Sequence, residues 1–199
     1  MHTLPLQQIL PQVISTANQA AEFIRNERSR FSYSSVEIKG LNDLVSYVDK
    51  TAEEIITSQL LKILPQAGFI VEENTRNERN DYNWIVDPLD GTTNFVHGIP
   101  CYAVSIALEH NGEILLGVVN EVSRHECFYA IKDKGAFLNE KPIQVSQQAS
   151  LSESLIATGF PIYNFTRFDA FIKALEYFMR HTHGVRRIGA AAVDLCYLA

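Results

Sequence analysis

Apolar residues recur at three- and four-residue steps near the start of the chain: Leu6, Ile9, Leu10, Val13, Ile14, Ala17, Ala20, Ala21 and Ile24. That period predicts a long amphipathic helix, and Pro5 suits its first turn. Alternation over residues 33–38 predicts a strand. A second helix is expected from Asp43, a good N-cap, through Leu44, Val48, Ile55, Ile56, Leu60 and Leu61 to about Leu64, where Pro65 stops it. Two short apolar runs follow, 69–71 and 84–86, separated by a polar loop over 74–83. Each ends in acidic residues, so both read as buried strands that deliver carboxylates at their ends.

The middle of the chain is rich in β-branched and aromatic residues over 102–108, 114–122 and 127–131. Turn signals at Asn111-Gly112 and Asp133-Lys134-Gly135 punctuate these runs and predict an antiparallel meander. After Ser146 the pattern changes to a strand at 155–158, a helix over 168–179, a strand at 185–188 and a final helix from about Ala190. The expected organisation is an N-terminal α+β domain over 1–147 and a partial C-terminal α/β domain over 148–199, in a layered α/β arrangement.

Composition narrows the function. With 46% hydrophobic residues, the 199-residue chain is able to bury a sizeable core. A formal charge of -6 argues against a general nucleic-acid binder. It leaves anionic substrates open, because bound cations reverse a local field. Cys101, Cys127 and Cys196 form no CxxC pair and read as reduced, mostly buried thiols. The first eleven residues lack a basic, then apolar, leader pattern. No stretch has the roughly 18 apolar residues of a membrane span. A soluble, cytoplasmic protein is expected.

The candidate chemistry lies in Trp84-Ile85-Val86-Asp87-Pro88-Leu89-Asp90-Gly91-Thr92-Thr93-Asn94-Phe95. An apolar strand ends at Asp87, Pro88 fixes the turn, and Asp90 follows, with the Leu89 carbonyl between the two carboxylates. Upstream, Phe69-Ile70-Val71 ends in the same way at Glu72-Glu73. Hard oxygen donors from two strand ends suit Mg²⁺, and so many clustered acids would otherwise repel one another. Gly91-Thr92-Thr93 then offers backbone N–H groups at the start of a short helix, where phosphate oxygens bind well. The Thr92 hydroxyl is placed to orient an attacking water. Asp-Pro-x-Asp-Gly is also a generic turn sequence, so these residues alone leave a plain turn open.

The string WIVDPLDGTTNFVHG closely resembles the first signature of the inositol monophosphatase family. Further stretches are similar to that family in order: Asp43-Leu44-Val45-Ser46 through Asp49, the acidic strand end at Glu72-Glu73, Lys134 to Asn139, and Arg187-Ile188-Gly189-Ala190-Ala191-Ala192. The family usually has Gly where Val71 stands. The resemblance implies an αβαβα sandwich and a Mg²⁺-dependent phosphomonoesterase acting on inositol monophosphate or a related polyol phosphate. It implies that Glu72, Asp87 and the Leu89 carbonyl hold a first Mg²⁺, and that Asp87 and Asp90 help hold a second. Glu72, Thr92 and Asp49 become catalytic residues, with Thr92 and Asp49 polarising the water. Asp90, the Gly91 and Thr92 amides, and Gly189, Ala190 and Ala191 become the substrate contacts. A homodimer is implied as well.

The resemblance also has a gap. The family continues past the equivalent of Ala199 with a second signature that supplies a further metal-binding Asp; Asp194 is not a substitute for it. A fragment that binds metal or phosphate without turnover is therefore an alternative expectation, with an uncovered sheet edge or apolar face. Adenosine-bisphosphate phosphatases usually have Lys-Glu where Thr93-Asn94 stand, which favours the inositol-type branch over that one and leaves histidinol phosphate as a further possible substrate. His181 and His183, read as alternate residues of a strand, make a poor metal pair. His97 is read as structural, and Arg186-Arg187 as a solvated pair. Phe165, Phe168, Phe171, Tyr177 and Phe178 fall at helical spacing and are expected in the core.

Overall fold

The first helical period becomes α1 (Leu6–Arg28), with Pro5 as its N-cap and Pro11 within it. In the computed structural model, residues 4–32, 36–40, 43–73, 76–162 and 164–199 are described. Ile9, Val13, Ala17, Ala20, Ala21 and Ile24 form the buried stripe of α1. The expected first strand is β1 (Val36–Gly40), and residues 33–35 lie outside the described set. It pairs antiparallel with β2 (Asp43–Ser46).

The second helix is α2 (Tyr47–Ile63), and it starts later than its sequence pattern implied. Asp43 lies on β2, and the N-cap is Ser46. Ser46 Oγ accepts from Val48 N at 3.1 Å, and Asp49 Oδ2 accepts from Ser46 N at 2.9 Å. Such a reciprocal box satisfies two otherwise orphaned donors of the first turn, which outweighs a lone Asp three residues earlier. Ser46 is fully buried. Ser46→Ala is therefore expected to destabilise the chain by about 1–2 kcal/mol, seen as a lower urea midpoint with an unchanged slope.

The main sheet has seven strands in the order β3-β4-β5-β6-β7-β8-β9. These are β3 (Gly68–Val71), β4 (Tyr82–Asp90), β5 (Ala103–His110), β6 (Glu113–Glu121), β7 (Glu126–Ile131), β8 (Ala136–Leu138) and β9 (Lys141–Ile143). β3 and β4 are parallel, and every later neighbour is antiparallel. The meander is thus present from β4 onward. The Asn111-Gly112 turn joins β5 to β6 with both residues at positive φ, 53° and 83°, the two-residue hairpin geometry that matches strand twist. The polar loop after β3 is shorter than expected, since Glu78 already bridges to Phe69 and β4 begins at Tyr82; residues 74 and 75 lie outside the described set.

α1 and α2 lie side by side over one face of this sheet. Their apolar stripes meet Phe69, Trp84, Ile106, Leu108, Leu116 and Val118, all nearly or fully buried. Each large side chain so buried contributes about 1.5–3 kcal/mol. Arg25 Nε and Nη2 each donate to Val122 O at 3.2 Å, which ties α1 to the chain just past β6.

Beyond a 3-10 turn (Leu151–Glu153), β10 (Leu155–Ala157) pairs in parallel with β11 (Gly184–Arg186). α4 (Phe168–His181) connects them, and α5 (Ala191–Cys196) follows. Here the aromatic pattern misled. α4 buries no residue, and Phe165, Phe168 and Tyr177 are 50%, 40% and 52% exposed. An amphipathic period shows that a helix has an apolar side, and not that anything covers it. His181 ends α4 and does not sit on a strand; its Nδ1 lies 2.7 Å from Tyr177 O. The three cysteines are free, with Cys101 buried. Among the described residues, no helix is long and apolar enough to cross a membrane.

Candidate active site

The parallel register of β3 and β4 builds the first part of the site. Val71 stands opposite Val86, so the next residue on each strand, Glu72 and Asp87, meet side by side. β3 stops at Val71, and among the described residues β4 has no strand partner on that side from Asp87 onward. Pro88 therefore sits where its missing N–H breaks no ladder bond. On the other side, the pairing with β5 shifts register between Asp87 and Asp90, a bulge after which Asp90 pairs again with Ala103.

Glu72 and Asp87 are hydrogen-bonded. Burial first, then the charge and hydrogen bond of Glu72 and the charge of Asp90, push the Asp87 carboxyl up to about 9. Leu89 N donates to Asp87 Oδ1 at 3.1 Å and orients it. Two carboxyls that repel in this way are relieved by a shared proton or by a cation. The donor set, two carboxylates with the Leu89 carbonyl nearby, fits a hard divalent ion that completes its shell with water. Among the described residues, no group of three His, Cys, Asp or Glu side chains is arranged to hold an ion unaided. Asp90, whose charge reaches Asp87, is itself held by two amides: Ala191 N donates to its Oδ1 at 3.1 Å and Ala192 N to its Oδ2 at 2.6 Å. Burial raises its carboxyl as well, against the pull of these two amides.

After Asp90 the chain turns at Gly91, φ +92°, into α3 (Thr92–His97). A side chain at Gly91 would be strained by that φ and would meet Cys101 O at 3.0 Å and Ala190 Cβ at 3.1 Å. Thr92 Oγ1 lies 3.0 Å from Asp49 Oδ1 and 3.0 Å from Leu89 O. It has one proton and two acceptors, so its lone pairs remain available toward the open side. Asp49 is buried, and its Oδ2 accepts from Ser46 N and from Ser46 Oγ, the latter at 2.7 Å. The capping box thus leaves Oδ1 for Thr92. Burial raises the Asp49 carboxyl, while the bonds from Ser46 and Thr92 pull it back.

The structure brings Asp49, Leu89 and Thr92 into one hydrogen-bonded group and pairs Glu72 with Asp87. It sets Gly189 and Ala190 against Gly91, and puts Ala191 on Asp90. A cavity of about 430 Å³ opens beside Asp90, lined by Thr158, Phe160, Arg187, Gly189, Ala191 and Asp194 among others. A larger one, about 570 Å³, lies between α1 and the β6–β7 side of the sheet and holds none of these residues. His97 sits at the end of α3, outside the acidic group.

Sequence reasoning missed two supporting residues. Glu53 is fully buried, one turn after Asp49 on the same face of α2, and its Oε2 takes Glu73 N at 2.6 Å, fixing the end of β3. An acid four residues after Asp49, on the same face of the helix, was the available signal. Asn94, buried within the signature string, donates to Cys101 O and Ile188 O; nothing in its local sequence names partners so far away.

A strand-end carboxylate pair beside a helix-start turn is an arrangement suited to phosphate esters. The model of the inositol monophosphatase family matches residues 5–199. An inositol-1-monophosphatase of Mesorhizobium japonicum is 38% identical over 193 residues, 96% of this chain and 73% of that protein. Nus factor SuhB of Pseudomonas aeruginosa is 38% identical over 200 residues, 98% and 74% of the two chains. The crystal structure of extragenic suppressor protein SuhB from Bartonella henselae superposes with a TM-score of 0.89 at 37% identity, covering 96% of this chain and 74% of that one. The chain belongs to the inositol monophosphatase family, a family of phosphatases acting on small phosphate esters.

Proposed function

We propose that the chain is a Mg²⁺-dependent phosphomonoesterase acting on inositol monophosphate or a similar polyol phosphate. The observation that carries this reading is the 3.0 Å contact of Thr92 Oγ1 with Asp49 Oδ1, made across 43 residues beside the Glu72–Asp87 pair. Glu72, Asp87 and the Leu89 carbonyl hold the first ion in this reading, and Asp87 with Asp90 help hold a second. Mg²⁺ held there would neutralise phosphoryl charge and lower the pKa of a water. The Gly91 and Thr92 amides bind phosphate oxygens. Thr92 Oγ1 takes a proton from the attacking water and passes its own to Asp49 Oδ1, so no protein nucleophile is needed. Gly189, Ala190 and Ala191, lining the 430 Å³ cavity, take the polyol. The family resemblance supports a cytoplasmic homodimer whose residues from 148 onward begin a second domain.

The test is phosphate release from inositol 1-phosphate across a Mg²⁺ titration, with histidinol phosphate and an adenosine bisphosphate as competitors. Faster release from the bisphosphate would reverse the substrate order. Relatives named Nus factor favour a second reading, in which the fold serves that role and not hydrolysis. Folded chain that binds Mg²⁺ and releases no phosphate from any of the three would favour it.

A further inference from the structure

Asn94 lies two residues past Thr92 on α3 and is 4% exposed. Its Nδ2 donates to Cys101 O at 2.8 Å and to Ile188 O at 2.9 Å. Both amide protons are thereby used, and an unmet carbonyl in such a buried place would be costly. Cys101 leads into β5, and Ile188 immediately precedes Gly189. One neutral side chain therefore joins the helix that starts at Thr92 to the turn 94 residues later.

The packing around this amide is tight. Gly189 has φ +99°, and a Cβ there would fall 2.9 Å from Asn94 Nδ2 and 3.0 Å from its Oδ1. On the near side, a Cβ at Gly91 would fall 3.1 Å from Ala190 Cβ. The two turns therefore lie close, with Gly91 facing Gly189 O and Ala190 Cβ and with Gly189 facing the Asn94 amide. Asp90 makes the only other described hydrogen bonds between these segments, to Ala191 N and Ala192 N. In the reading above Asp90 is also committed to the cation and the substrate, whereas Asn94 Nδ2 holds only backbone.

We propose that Asn94 is a positioning residue that sets the spacing between the Gly91-Thr92 turn and the Gly189–Ala191 turn. It thereby decides which alcohol is accepted beside the phosphate. The second half of this inference rests on the phosphatase reading; the first half does not. The replacement Asn94→Asp keeps the shape and puts an oxygen against two carbonyls. Asn94→Ala removes the donors without adding charge. For each variant, kcat/KM is measured on inositol 1-phosphate and on phenyl phosphate, which has no ring hydroxyls for the second turn. Amide exchange over residues 188–192 is followed by mass spectrometry. Expected is a loss of about 30-fold or more on inositol 1-phosphate with phenyl phosphate within about 3-fold of wild type. Exchange at Ala191 and Ala192 should quicken by about tenfold or more, with α1 unchanged. Equal losses on both esters, or unchanged exchange at 188–192, would overturn the proposal. If wild type hydrolyses neither ester, the phosphatase reading fails, and the exchange result still decides whether Asn94 holds the turn.

Discussion

Replacing Asp87 by asparagine is expected to abolish Mg²⁺-dependent phosphate release while making the chain more stable in chelator at neutral pH. The loss of turnover should be about a thousandfold, the scale on which removing a charge-stabilising group acts on the reacting centre. The gain in stability comes from the same residue. Asp87 is raised from 3.8 to about 9 in the folded chain. Between those values the unfolded chain has released this proton and the folded chain retains it, so the folded state binds more protons. Stability is then fully present below the unfolded pKa and falls as pH rises toward 9. At pH 7 the penalty is on the order of a few kcal/mol. Asparagine removes it and still offers Glu72 a donor. In EDTA, the wild-type Tm should fall between pH 5 and 9, and Asp87→Asn should flatten that slope. The variant should melt roughly 5–10 °C higher at pH 7. Added Mg²⁺ should raise Tm for the wild type and much less for the variant. A variant that melts lower in EDTA at pH 7 would refute the repulsion between Glu72 and Asp87.

Thr92→Ala is expected to lower kcat by about 10²- to 10⁴-fold, the usual contribution of a positioned proton acceptor. Mg²⁺ affinity and KM should stay within a few-fold, because in the proposed reading Thr92 gives its hydroxyl to the water and only its backbone to the phosphate. Thr92→Ser keeps the hydroxyl and should recover most of the rate. Asp49→Asn should show a loss like that of Thr92→Ala and should also remove the acid limb of the pH–rate profile. That limb should lie above the ordinary carboxylate range in the wild type, since burial raises Asp49 and activity requires its charged form. Steady-state kinetics with a Mg²⁺ titration at each pH measures all three variants. A Thr92→Ala variant that loses Mg²⁺ binding in step with rate would move Thr92 from the proton path to the metal architecture.

Much of the fold was legible because its signals are local. The stripe from Ile9 to Ile24 needs only a 3.6-residue period to be recognised, and Asn111-Gly112 needs only two residues able to adopt positive φ. The helix that Asp43 alone suggested starts three residues later, at the Ser46 cap. The reciprocal bond from Asp49 decided between them. The aromatic residues of α4 were misjudged for a different reason: spacing defines an apolar side, while burial depends on what the rest of the chain lays against it.

By itself the sequence determined the strand-end acids, the Gly91 turn and the helix that follows, because apolar runs, proline and glycine constrain the backbone within a few residues. It also carried the family, through an ordered series of similar stretches. Only the tertiary structure decided the partners. The parallel register set Glu72 beside Asp87, the capping box left one Asp49 oxygen for Thr92, and Asn94 found Ile188 across 94 residues. Those contacts follow from how helices and strands are brought together in space, which no local pattern encodes.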